Sequence, residues 1–184
     1  MFVHAGSPKF ISTGVAALDR ALGGGWAVGR LTEVWGLPES VLASLVRGRM
    51  FGLPIDVQER AAVPLMAISE RVRRSLEEPE LLIVGPFEDL RPEGIELYGW
   101  TRQMSGFLRQ LLPKLHRTNI ALVVWWRRMP HFTEMGGGIE RASASALKFY
   151  SSARVGFKVG ESAVAAKVYK NKMAPPFQEA RFTL

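Results

Sequence analysis

Two apolar runs of strand length, Leu81 to Phe87 (LLIVGPF) and Ile120 to Trp126 (IALVVWW), flank a segment with helical spacing from Tyr98 to His116. Strands with no polar face are covered on both sides. Between them Met104, Leu108, Leu111, Leu112 and Leu115 recur at helical intervals, and basic residues fill the opposite face. Strand, helix and strand in that order predict a parallel pair joined by a right-handed crossover, hence an α/β fold with a mainly parallel sheet and helices on both faces.

A third strand is expected at Arg30 to Trp35, which alternates and is β-rich. Gly36 and Pro38 break it, and Ser40 to Val46 turns helical. Strand, glycine turn and helix give the outline of a phosphate-binding loop. A working loop needs G-x-x-x-x-G-K-[ST], with glycines that let backbone N–H groups wrap phosphate, a lysine for the terminal phosphates and a hydroxyl for magnesium. Counted from Gly36, the second glycine falls at Val41, the lysine at Leu42 and the hydroxyl at Ala43. Every chemical position is apolar. From these residues alone, either the loop has decayed or the unit is an ordinary strand-turn-helix.

A chain of 184 residues, 47% hydrophobic, supports one good core, so a single domain over residues 1–184 is expected. No apolar run approaches the roughly 20 residues of a spanning helix. Met1 to Ile11 lacks the form of a signal peptide, so a soluble, unexported, cytoplasmic chain is expected. The absence of cysteine excludes disulfides, thiolate zinc sites and cysteine nucleophiles. The net charge of +7 is lopsided: residues 1–96 carry 10 Lys+Arg against 13 Asp+Glu, and residues 97–184 carry 14 against 4. The basic half fits a surface that meets nucleic acid or another polyanion, although scattered solvated charge gives the same count.

Elsewhere, Ser12 or Thr13 is placed to cap a helix from Gly14 to Leu22 that Gly23 to Gly25 end. Gly52 to Pro64 reads as loop, and Leu65 to Leu76 as an amphipathic helix with Arg71, Arg73 and Arg74 solvated. From Ala146 to Leu184 the pattern is β alternation, read as hairpins that extend the sheet.

Arg127 to Ser145 has no periodicity, three consecutive glycines, and the cations Arg127, Arg128 and Arg141 around His131 and Phe132. Loops of about 19 residues are uncommon in compact domains and are usually functional or mobile. This one follows the carboxyl end of a parallel strand, where open α/β sheets place binding sites. Arg127, Arg128, His131 and Arg141 are therefore candidate contacts to single-stranded DNA, arginine on phosphate and ring on base; a plain surface loop is the alternative.

Three segments, ISTGVAALDRALGGGWAVGRLTEVWG (Ile11 to Gly36), ALKFYSSAR (Ala146 to Arg154) and KVYKNKMAPPFQEARF (Lys167 to Phe182), resemble in the same order the signatures of the bacterial RecA recombinase core. The resemblance implies a RecA-like, P-loop NTPase type fold and makes the Gly36 stretch a decayed phosphate loop. It also exposes departures. The aspartate ending the Walker B strand corresponds to Gly85, and Glu88 and Asp89 come too late. Neither Asp56 nor Glu59 can be assigned the catalytic glutamate. The Asn-Gln pair that senses nucleotide corresponds to Trp126 and Arg127. Phosphoryl transfer needs metal, lysine and water-orienting group together. No ATPase activity, no catalytic residue and no nucleotide cofactor or metal are therefore expected.

The family's N-terminal arm and C-terminal DNA-gathering domain also have no counterpart, so filament growth is not expected. Lys170 and Lys172 persist, at a spacing that puts both on one face of a strand; in the family such lysines reach the ATP of the neighbouring subunit, and the resemblance makes them candidate partner-interface residues. Shortened relatives of this kind include ImuA, partner of a damage-tolerant polymerase complex. The expected function is that of an inactive accessory in DNA repair or recombination. Its partners would be a RecA-type recombinase, a translesion polymerase accessory protein or single-stranded DNA. The alternatives are an atypical nucleotide-dependent enzyme and an interaction domain without nucleic-acid contact.

Overall fold

The structure, a computed structural model, describes residues 8–45, 50–52, 68–70, 72, 80–87, 97–127 and 146–183. Seven strands form one sheet in the order β4-β5-β6-β3-β7-β8-β9. They are β3 Leu31–Trp35, β4 Met50–Gly52, β5 Glu80–Val84, β6 Ile120–Trp126, β7 Ala153–Val159, β8 Val164–Asn171 and β9 Glu179–Phe182. The pairs from β4 to β7 are parallel, whereas β8 runs antiparallel to β7 and β9 antiparallel to β8. A separate two-stranded ribbon pairs β1 (Phe10–Ile11) with β2 (Trp26–Ala27).

The parallel strands are where the apolar runs placed them. All residues of β3, β5 and β6 are buried. Their two faces feed two separate cores. On one, Val34, Ile83, Val123 and Trp125 pack with α1 (Ala16–Leu22) and α2 (Glu39–Leu45). On the other, Leu31, Trp35, Leu122, Val124 and Trp126 pack under the long helix Leu97–Leu115. That helix buries Trp100, Met104, Leu108, Leu111 and Leu115 in one stripe. Each such side chain stabilises the layer by roughly 1.5–3 kcal/mol before entropic costs. The helix closes where Thr118 Oγ donates to the Leu115 carbonyl.

Four expectations change. Helix α1 starts at Ala16 with Val15 as N-cap and no side-chain cap. Ser12 and Thr13 instead engage Asp19, which accepts from Ser12 Oγ and from the Thr13 N–H. The second core strand lies at Met50–Gly52, so Gly52, the first residue of the segment read as loop, belongs to a strand that pairs with β5. Three residues are too few to show a period. Residues 146–150 are helical rather than strand, because Ala146 and Leu147 turn into the core under the long helix. Strand β8 ends at Asn171, so Lys170 lies in the strand and Lys172 beyond it.

Of the helix read at Leu65 to Leu76, residues 68–70 and 72 are helical, with Ile68 and Val72 buried one turn apart. The rest of that helix, Asp56, Glu59, Glu88, Asp89, Arg128, His131 and Arg141 lie outside the described residues. No helix of the described residues is long and apolar enough to cross a membrane.

Candidate functional site

The strand-turn-helix unit runs from β3 through Gly36 into α2 at the carboxyl edge of the sheet, where open α/β sheets place their ligands. Gly36 sits at φ 83°, and a Cβ there would overlap the Phe157 carbonyl, so the turn requires glycine. Beyond the turn, the chain's own groups occupy the loop. The Trp125 indole N–H donates to the Leu37 carbonyl at 3.1 Å, and this bond is buried. The N–H groups of Val41 and Leu42 both donate to the Pro38 carbonyl. Leu42, at the position of the phosphate-binding lysine, is buried in the core, and Val41 packs against the same cluster. The hollow beside the turn, about 430 Å³, is lined by Pro38, the exposed Glu39, Trp125, Arg127 and Lys158 among others. Its two cations outnumber the one carboxylate, so it is the missing lysine and hydroxyl, and not the charge of the hollow, that argue against a triphosphate.

At the end of β5, Gly85 adopts φ 156° and lies against Trp125. A Cβ at Gly85 would approach the Trp125 carbonyl to 2.5 Å, so an aspartate there would require the backbone to move. Trp125 thus touches both the Gly36 turn, through the Leu37 carbonyl, and Gly85. The backbone positions of Leu42 and Ala43 lie in α2. Among the described residues no group of three or more His, Asp or Glu is placed to hold a metal ion.

A polar site that sequence reasoning missed lies in the centre of the sheet. Glu33 on β3 is fully buried and stands directly opposite Arg154 on β7, whose guanidinium donates to Glu33 Oε2. Among the described residues, Glu33 Oε1 and Trp126 Nε1 have no hydrogen-bond partner. Burial raises the carboxyl pKa; Arg154 opposes that most strongly, and Trp126 and Lys170 oppose it less. The Trp126 indole thus lies close enough to favour the carboxylate without completing a bond. Arg154 also lies over Trp35, 5.0 Å from the ring centroid, and Trp35 packs on Tyr169 at 5.3 Å. In sequence, Glu33 is one polar residue in an alternating strand, and nothing nearby signals a partner 121 residues away.

The lysines read as a partner interface differ from each other. Lys170 Nζ donates to the carbonyls of Lys148 (2.7 Å) and Phe149 (3.2 Å), acceptors at the end of the helical turn 146–150. Its pKa is lowered by burial first, then by Lys172 and Arg154. Lys172 is exposed, and so is Phe149, at 74%. The Phe149 ring meets Tyr150 edge-on at 5.0 Å. Nearby, Arg30 donates to His116 Nε2 at 3.1 Å. Burial, then Arg30 and Lys172, lower the His116 pKa. Lys172, Lys170, Lys148 and Phe149 therefore cluster at one edge. Of the candidate DNA contacts, Arg127 is described: it is exposed at the exit of β6 and lines the hollow beside Gly36.

No protein-family model matches the chain. Protein RecA of Sulfurovum sp. (strain NBC37-1) is 31% identical over 227 residues, 95% of this chain and 65% of that protein. Protein RecA of Francisella tularensis subsp. novicida (strain U112) is 27% identical over 225 residues, covering 95% and 62% respectively. The chain thus spans just under two thirds of the length of the curated relatives it matches. Since 227 aligned positions exceed its 184 residues, the relatives also carry residues within the aligned span that this chain lacks. Among solved structures, a crystal structure of the RadB recombinase superposes with a TM-score of 0.58 at 17% identity, covering 95% of this chain and 96% of that one.

Proposed function

We propose that this chain, RecA-like in sequence and in fold, is an inactive accessory protein of DNA repair or recombination, which docks on an active recombinase without binding nucleotide itself. The observation that carries this reading is the interior of the phosphate loop. The Leu37 carbonyl is held by Trp125, the Val41 and Leu42 N–H groups bond the Pro38 carbonyl, and the lysine position is a buried leucine, so the loop itself brings no lysine to the place of the phosphates.

The surface of the described residues offers the opposite kind of feature, a cation and an aromatic ring that both stand exposed. Lys170 holds the end of the helical turn in place, and this leaves Phe149 and Lys172 as the groups a neighbouring subunit would meet. A large, rigid apolar ring beside a lysine suits a protein interface, where aromatic anchors dominate the energy. On this reading the chain is itself ImuA-like, and a RecA-type recombinase or a translesion polymerase accessory protein is the partner that would meet this face.

Association with the host recombinase on single-stranded DNA tests the proposal, measured with a slowly hydrolysed ATP analogue and with ADP. Phe149→Ala and Lys172→Ala are each expected to weaken association by about tenfold or more, an effect of hot-spot size. The lysine variant should lose the preference for the ATP state. Lys170→Ala with Lys172→Ala should behave as Lys172→Ala or worse, because it also frees the helix end. Equal association for all variants in both nucleotide states would overturn the docking face.

DNA contact is assigned to Arg127, Arg128, His131 and Arg141. Replacing the three arginines by alanine should weaken single-strand binding without changing sequence preference. If all three contact phosphate, the slope of log K against log salt should shrink by about 2, at roughly 0.7 per contact. An unchanged slope would leave that segment a connector.

A further inference from the structure

We propose that the open face of β7, β8 and β9 is a docking groove for an extended acidic segment of a partner protein. The long helix covers this side of the sheet over β5, β6 and β3. Further out, the same face lines a groove of about 560 Å³, with Trp35 buried at its inner wall.

The strand register arranges this face in two rows. Lys158 on β7 pairs with Ala165 on β8, which pairs with Arg181 on β9. One pleat away, Gly156 pairs with Lys167, which pairs with Glu179. The first row therefore sets two cations about 10 Å apart across a single methyl group, from strand spacings of about 4.8 Å. Rows on one face repeat about every 6.8 Å along a strand, and an extended peptide presents its alternate side chains at the same interval. Ala165 keeps the floor low between the two cations, whereas Gly156 in the second row is covered by the Trp35 and Tyr169 rings.

Charge selects the occupant. Lys158, Lys167 and Arg181 are all exposed, with Arg127 at the mouth, and among the described lining residues they face the one carboxylate of Glu179. The Lys167–Glu179 bridge, 3.0 Å between groups 46% and 61% exposed, holds Lys167 only weakly. A nucleic-acid strand matches the charge but not the rest, since it wants successive rings for its bases. Among the described aromatic residues of the groove only Tyr169 reaches the surface, and it leans on Trp35, which is 3% exposed. The small floor and the matched repeat favour a peptide. The groove residues are distinct from Phe149 and Lys172, so this inference stands or falls separately from the recombinase docking face.

The test uses the whole chain and fluorescence anisotropy at low salt. The probes are a labelled octapeptide of alternating Glu and Ala with one Leu, the same peptide with Gln for Glu, and an oligo(dT) strand. The acidic peptide should bind, and the Gln peptide should not. Lys158→Glu with Arg181→Glu should weaken peptide binding by at least about tenfold at low salt, because it sets like charges against the acidic peptide and removes the field that steers it in. Reversal of Lys114 and Arg117, exposed cations at the end of the long helix, should leave it within about twofold by the same rule. If the double glutamate variant loses its circular dichroism spectrum, Lys158→Gln with Arg181→Gln reads the same loss. No peptide binding by the parent, equal binding by the groove variants, or a groove that responds only to oligo(dT) would each overturn the proposal.

Discussion

Arg154→Ala is expected to lower the stability of this protein by about 3–5 kcal/mol at neutral pH, the cost of leaving a buried charge without its partner. Glu33 has no exposure, and one of its oxygens already lacks a hydrogen bond among the described residues. Arg154 supplies the remaining compensation and covers Trp35 as well. The pH dependence separates these two roles. Burial holds the Glu33 pKa above its ordinary value near 4.5, so the folded state keeps its proton while the unfolded chain releases it. Stability therefore falls as pH rises from the unfolded value to the folded one, and the penalty is fully present above the folded pKa. Without Arg154 the folded pKa rises further. The gap between parent and variant should thus be widest above that raised pKa and narrow as pH falls toward 4.5. Adding Glu33→Gln to Arg154→Ala should recover part of the loss, since a neutral amide tolerates burial better than an unpaired carboxylate. Urea unfolding of the parent, the single variant and the double variant at neutral and acid pH measures this. A loss independent of pH and unrelieved by Glu33→Gln would mean that Arg154 acts through packing on Trp35 alone.

The elements with a strong period were legible in the sequence. IALVVWW could only be a strand covered on both sides, and the stripe through Met104, Leu108, Leu111 and Leu115 could only be one face of a helix. Segments decided by partners far along the chain were not legible. Met50–Gly52 is a strand because β5 offers it a parallel edge, not because three residues carry a pattern. ALKFY at residues 146–150 has the composition of a strand and becomes a helical turn because Ala146 and Leu147 meet the underside of the long helix. At the site, the loss of the phosphate-binding residues could be counted directly from Gly36, but the role of Trp125 in filling the loop could not. Lys170 read as an outward charge, and the helix end that holds it is invisible without the fold. Phe149 looked like one more apolar residue; only its exposure of 74% marks it.

ATP is expected not to bind this chain at concentrations below about 1 mM, which leaves less than about 4 kcal/mol of binding free energy. A working phosphate loop derives its affinity from convergent backbone N–H groups and a lysine. Here the Val41 and Leu42 N–H groups already bond the Pro38 carbonyl, the Leu37 carbonyl is turned onto Trp125, and a buried leucine stands at the lysine position. Restoring residues one at a time should fail for the same reason. Leu42→Lys would have to pull a buried position out of the core, at a cost typical of core disruption, about 2–5 kcal/mol, before its ammonium met a phosphate. Gly85→Asp would strike the Trp125 carbonyl. Whether this RecA-like core holds a nucleotide of its own is decided by equilibrium dialysis of the full chain against radiolabelled ATP with magnesium. Equal label on both sides of the membrane is expected throughout the micromolar range. Saturable retention with a Kd of a few micromolar, about 8 kcal/mol of binding, would contradict it.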